Sequence, residues 1–391
     1  MAFNGERLKK ARLYRNMTIT ELAEKINISK QAVSQFEKGT SNKGPISPKP
    51  DVFFAIVLAL GFPKKFFEEY DEYDINIENT FFRALASTKN LDKKTQEIKT
   101  ELIVRLYNFL NEYLDFPVLE LPDISDIDSE DMNIISSYVR DYWDLGESPI
   151  PNMVKLLESK GIIVSSFDVN NKKIDAFTQI HKIKNIEQIC VVLGNDKPSL
   201  VRRNFDCAHE LGHILLHNSL GDLSLLENEE QRELELQANQ FAGAFLLPRE
   251  SFFKDLIHPT DLDFYVQLKK KWKVSIAAMI VRARGLGRIT NSEYQALMKK
   301  ISRKGWRVNE PFDNEWQLQR PALFRKSLEL LINNNVLTNR QFIDRLSASG
   351  LSLNSCEVEE LLSLSKGYLA DSKTSIKEVE PKLKSIHHIN Y

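Results

Sequence analysis

The sequence predicts an α+β, multidomain chain: an all-α N-terminal domain, then a mixed domain with a small sheet, then a helical C-terminal extension. Three observations predict it. Residues 5–70 break into short segments with apolar residues at helical spacing. Three strand-like runs lie between 162 and 193, followed by two longer helical patterns. Beyond residue 320, leucines recur through a helical extension. A length of 391 residues points to two or three domains rather than one core.

Taken in order, Leu8, Ala11 and Arg12 mark a first helix, residues 20–26 a second, 29–38 a third and 52–60 a fourth that stops near Gly61. Thr18 can cap the second helix with Glu21 three positions on, and Ser29 can cap the third. Asn27 and Ile28 are then the tight turn of a helix-turn-helix, and the third helix is its recognition helix. Ala32, Val33 and Phe36 belong inward, which leaves Lys30, Gln31, Ser34 and Lys38 for double-stranded DNA. Gln31 and Ser34 would reach base edges of an operator, and the lysines would meet phosphate. Charge agrees with this. The whole chain has a formal net charge of only −1, whereas residues 1–70 hold 12 Lys and Arg against 7 Asp and Glu, a net +5. The competing reading is a helical protein-interaction domain that has lost DNA binding.

Residues 71–130 read as a helical linker and acidic connector. Phe81 and Phe82 count as core residues, and residues 97–114 carry one wide apolar stripe. Two roles for that stripe stay open: a linker helix, or a dimerisation arm that would make the chain a homodimer. Residues 115–139 contain seven acidic residues and no lysine or arginine, and with Pro117 and Pro122 they suit an extended connector into a helix near 132–143. A helix at 149–159 stops at Gly161. Strands at 162–167, 176–180 and 189–193 follow, with turn residues at Asn170, Asn171, Gly194 and Asn195, and Asp175 reads as a turn or surface carboxylate. An edge of such a sheet can take an extended peptide backbone by strand addition.

Residues 203–217 hold the chemistry. On a helix with about 100° per residue, His209 and His213 stand one turn apart on one face with Glu210 beside them, so two imidazoles can hold one zinc while the carboxylate meets a water. The third ligand is sought in the helix at 233–246, ended by Pro248. Glu235 is the choice, because Ala238 and Asn239 lie over the same face and Asn239 can bond a ligand histidine. Glu233 faces elsewhere. Gly212 leaves room for a close neighbour, and His217, a turn beyond His213, reads as a histidine that supports a ligand rather than a fourth ligand. Tyr265, His217 and Tyr294 are formal candidates for an oxyanion donor.

These residues resemble the ImmA/IrrE-type metallopeptidase family, often joined to a Cro/CI-type helix-turn-helix. The resemblance is carried by residues 140–150, 158–164, 173–177, 209–217, 237–242 and Leu246-Leu247-Pro248, and by Leu22-Ala-Glu-Lys25 and residues 31–39 of the N-terminal domain. It implies a zincin-like metallopeptidase domain at 131–310 after a DNA-binding domain at 1–70, with 311–391 a helical extension ending in a flexible tail. It also implies His209, His213 and Glu235 as zinc ligands and Glu210 as the base. A repressor or other regulatory protein is the expected substrate.

Composition sets the limits. The chain is 42% hydrophobic and 27% charged, with no signal-peptide core and no run near the roughly 18 apolar residues of a membrane span, so a cytoplasmic protein with no membrane partner is expected. Cys190, Cys207 and Cys356 lack metal-site spacing and fit a reducing compartment. Two functions compete. One is a regulator that cleaves a partner; the other is a non-catalytic repressor whose zinc-holding peptidase-like domain senses a ligand or protein.

Overall fold

A computed structural model describes residues 3–41, 44–82, 90–127, 129–167, 176–183, 186–195, 199–220 and 226–370. The expected turn at Asn170 and Asn171, the Asp175 carboxylate and the tail after residue 370 lie outside the described residues. Helices α1 (Gly5–Tyr14), α2 (Ile19–Lys25), α3 (Lys30–Lys38) and α4 (Pro50–Leu60) form the N-terminal domain. Thr18 and Glu21 close a capping box on α2, Ser29 caps α3, and α3 ends on Gly39 in the left-handed region. Asn27, at φ 55°, makes the turn between α2 and α3. A buried fork joins α1 to α3: Arg12 Nε and Nη2 donate to the two carboxylate oxygens of Glu37 at 2.5 and 3.0 Å. Between α3 and α4 the chain makes a two-residue ribbon, β1 (Thr40–Ser41) with β2 (Gly44–Pro45).

The second sheet organises the rest. Its strands are β3 (Asn76–Phe82), β4 (Ile163–Phe167), β5 (Ala176–Ile183) and β6 (Ile186–Gly194), in the order β3-β5-β6-β4. β4 runs parallel to β6, and β5 runs antiparallel to both β6 and β3. The sheet is therefore mixed. β3 is the addition that apolar runs did not reveal: Asn76, Glu78, Asn79 and Thr80 give it a polar sequence, and a bulge between Ile77 and Asn79 breaks its alternation.

Both faces of the sheet are covered, which explains why the Ile189–Leu193 stretch of the central strand β6 reads as a continuous apolar run. Val164, Ala176, Ile180, Ile189 and Val191 point into one core. That core includes α8 (Leu200–Leu216) and α9 (Asn228–Leu246), with α6 (Met132–Tyr142), α7 (Met153–Ser159), α10 (Arg249–Asp255), α11 (Leu262–Trp272), α12 (Ile276–Gly285) and α13 (Asn291–Arg303) around them. Ile163, Phe167, Phe177, Ile183, Cys190 and Val192 point the other way. They meet α5 (Asn90–Asn111), α14 (Leu323–Asn333), α15 (Asn339–Ala348), α16 (Ser355–Leu361) and the apolar face of the N-terminal domain in one shared core.

Polar contacts fix this second layer. Ser165 donates to the Leu361 carbonyl at 2.7 Å, Tyr14 donates to Glu360 at 2.8 Å, and Lys99 of α5 meets the same carboxylate at 2.6 Å. The apolar stripe of α5 is thus spent on the chain's own sheet. Lys269, within the run of lysines around Trp272, is fully buried between Glu310 and Asp313 at 2.8 and 2.7 Å. No helix among the described residues is long and apolar enough to cross a membrane.

Candidate metal centre

α8 places His209, Glu210 and His213 in the core, and α9 brings Glu235 to meet them. The close approach depends on Gly212. A Cβ there would stand 3.2 Å from the Ala238 Cα and 3.2 Å from Phe241, so any larger residue would push α9 away. His209 Nε2 and His213 Nε2 are 3.1 Å apart. One Glu235 oxygen lies 3.5 Å from His209 Nε2 and the other 3.3 Å from His213 Nε2. Glu233 is exposed and stands outside this cluster.

The hydrogen bonds around the cluster decide where its protons sit. Asn239 donates its amide to the Glu235 backbone carbonyl at 2.7 Å, which turns its oxygen to His209 Nδ1 at 3.1 Å. His209 Nδ1 must then carry the proton, leaving Nε2 bare. A longer relay does the same for His213. Gln237 donates to Glu233 at 3.4 Å, so its oxygen accepts from His217 Nε2 at 3.0 Å. His217 Nδ1 is then an acceptor for His213 Nδ1, 2.9 Å away. Two bare nitrogens therefore face each other at 3.1 Å beside a carboxylate, an arrangement that repels itself unless a cation lies between them.

The spacing fits zinc. Tetrahedral bonds of about 2.0–2.2 Å put neighbouring ligand atoms about 3.4 Å apart, and the three separations here run from 3.1 to 3.5 Å. Burial holds the His217 imidazole down at about 4, which keeps it neutral. Glu210 is almost fully buried beside the cluster, and one of its oxygens accepts from the Thr178 hydroxyl of β5 at 2.6 Å. The sequence assigns no role to Thr178, within the strand run 176–180, or to Gln237, within the segment 237–242. Neither carries a spacing signal, since one acts across strands and the other through a second histidine.

Residues 157–284 match the IrrE N-terminal-like domain family, and residues 8–67 match a helix-turn-helix family. The chain joins an IrrE/ImmA-like peptidase-family domain to a Cro/CI-type helix-turn-helix domain. A search of curated proteins finds no match. The IrrE-like match spans β4, β5, β6, α8 and α9, hence all four residues of the candidate centre. The helix-turn-helix match spans α3, where Lys30, Gln31 and Lys38 are exposed, Ser34 is half-buried and Val33 is buried. Those four polar residues stand apart from the elements that build the metal centre.

The proposed oxyanion donors fare differently. Tyr265 donates its hydroxyl to the Pro259 carbonyl at 2.8 Å, both His217 nitrogens are used in the relay, and Tyr294 lies beneath the Arg284 guanidinium. Cys207, two residues before His209, is buried in the IrrE-like core rather than turned to the cluster.

Proposed function

We propose that the chain is a DNA-binding transcription regulator with zinc-dependent endopeptidase activity toward a repressor or other regulatory protein. The observation that carries this is the convergence of His209, His213 and Glu235 at zinc-ligand spacing, with the Glu210 carboxylate buried beside them. Residues 1–70 would hold an operator through Lys30, Gln31, Ser34 and Lys38, and residues 131–310, completed by β3, would hold the chemistry. Two copies, a homodimer, would match a two-fold operator. Such a regulator works in the cytoplasm, where operator and partner lie.

Zinc, when bound, supplies Lewis acidity that acidifies a water and polarises a carbonyl. His209 and His213 would offer Nε2, and Glu235 its carboxylate. Asn239 and the pair His217 and Gln237 keep those imidazoles in the ligating tautomer. Glu210 acts as general base: its carboxylate takes the proton of the attacking water and returns it to the departing amide nitrogen. The Thr178 hydroxyl, donating to one carboxylate oxygen, holds Glu210 in place for that transfer.

Zinc analysis tests the metal part. The purified protein should hold about one zinc per chain, His209→Ala and His213→Ala should each lose it, and Glu235→Gln should bind more weakly while Glu233→Gln does not. Full retention of zinc by both histidine variants would remove the site.

A further inference from the structure

β3 lies outside residues 157–284, yet it completes the sheet beside the metal centre. β5 is the strand whose Thr178 touches Glu210. Without β3, β5 would be a sheet edge whose unpaired N–H and C=O groups could accept an extended chain at about 4.8 Å. β3 fills that slot. Its register puts Phe81 opposite Thr178 and Asn79 opposite Ile180. Phe81 stacks on the His213 imidazole, with centroids 5.5 Å and planes 19° apart. Asn79 donates to the carbonyl of Asn218, just beyond α8, at 2.6 Å. Two side chains of the strand thus reach α8 and the residues just beyond it, and one of them lies against a candidate ligand.

We infer that residues 76–82 are an internal stand-in for substrate backbone: the full chain closes its own peptide site, and an extended polypeptide must displace β3 from β5 to reach the metal centre. This rests on the peptidase reading above. A peptide added instead to the outer side of β3 would lie two strand spacings, about 10 Å, from β5. Glu210 is held against β5, and a general base must come within hydrogen-bond reach of the group it serves.

Exchange is also feasible energetically. An incoming strand restores the ladder bonds that β3 gives up, so the net cost is confined to contacts such as those of Phe81 and Asn79. The bulge and the exposure of Ile77, 37%, weaken the hold at the strand's start. The closure is tied to the DNA-binding side. Asp71, upstream of the strand, takes Arg7 and Lys10 of α1 at 2.6 Å each and Arg105 of α5 at 3.4 Å.

A reversible clamp tests the idea. Asn76 and Lys182 are register partners, and the Cβ atoms of opposed residues lie about 4.5–5.5 Å apart, within a small shift of disulfide geometry. Asn76→Cys/Lys182→Cys would be made with Cys356→Ser, which removes the exposed native thiol; Cys190 and Cys207 are buried. The zinc-loaded full chain is titrated, oxidised and then reduced, with two probes. Acetohydroxamate needs only the metal, whereas a fluorescent tripeptidyl hydroxamate needs the metal and the β5 edge.

Acetohydroxamate should bind both forms equally. The tripeptidyl probe should bind the oxidised form at least about tenfold more weakly, as expected of a competitor fixed at high effective concentration. Phe81→Ala, which loosens the strand without a new bond, should bind that probe more tightly than the parent. Equal binding of the tripeptidyl probe to both redox forms, with acetohydroxamate still bound, would overturn the strand proposal and leave the metal reading intact. Failure of acetohydroxamate to bind either form would overturn the metal reading and the strand proposal with it.

Discussion

A histidine can ligate a metal through Nε2 only when its proton is kept on Nδ1, and in this centre that task passes outward through His217 to Gln237. Gln237→Leu removes the final acceptor and frees His217 to rotate or change tautomer. Zinc affinity, measured by competition with a chelator, should fall about 10–100-fold. Gln237→Glu keeps an acceptor and should stay near the parent. An unchanged affinity in Gln237→Leu would show that the relay does not position His213. The candidate ligand cluster is legible in the sequence, because helical spacing converts directly into a shared face for His209 and His213. Glu235 follows from the same geometry on a second helix. Gln237 and Thr178 are not legible, since their roles depend on which helix and which strand end up opposite.

Among the elements, α3 shows the most direct route from sequence to function. Ser29 caps it, Gly39 ends it, and Val33 anchors it, which turns Lys30, Gln31 and Lys38 outward. Gln31→Ala/Ser34→Ala should lose discrimination for the operator and keep much of its non-specific affinity. Lys30→Ala/Lys38→Ala should weaken binding to any sequence and reduce the salt slope by about two, close to one for each lost phosphate contact. Anisotropy titrations at several salt concentrations read both effects; parent-like curves from both variants would take DNA reading away from α3. β3 is the opposite case. Only Phe81 and Asn79 of its described side chains are buried, and the bulge interrupts its period, so its sequence resembles a linker. Its strand character comes from the exposed edge of β5, which local sequence does not encode.

At the scale of the molecule, the mixed sheet is a wall shared by two cores, with α8 and α9, which carry the candidate metal cluster, on one face and the helix-turn-helix domain, α5 and the C-terminal extension joined on the other. The stripe on α5 and the leucines beyond residue 320 announce helices, but not that both would pack on the face of β4, β5 and β6 away from α8. Contacts such as Tyr14 with Glu360 and Arg15 with Glu357 join residues more than three hundred positions apart, beyond the reach of any local pattern. The arrangement makes a partner-cleaving regulator and a zinc-holding sensor look alike from outside. They differ at one carboxylate. Glu210 stands next to the cluster but is not one of its three ligand candidates, so Glu210→Gln should keep fold, zinc and operator binding while losing the proton acceptor. The decisive measurement pairs zinc content with cleavage of the cognate repressor by the parent and by Glu210→Gln at equal concentration. The account predicts equal zinc and a fall in cleavage of about 10²–10⁴; equal cleavage by the two proteins, or none by the zinc-loaded parent, would contradict it.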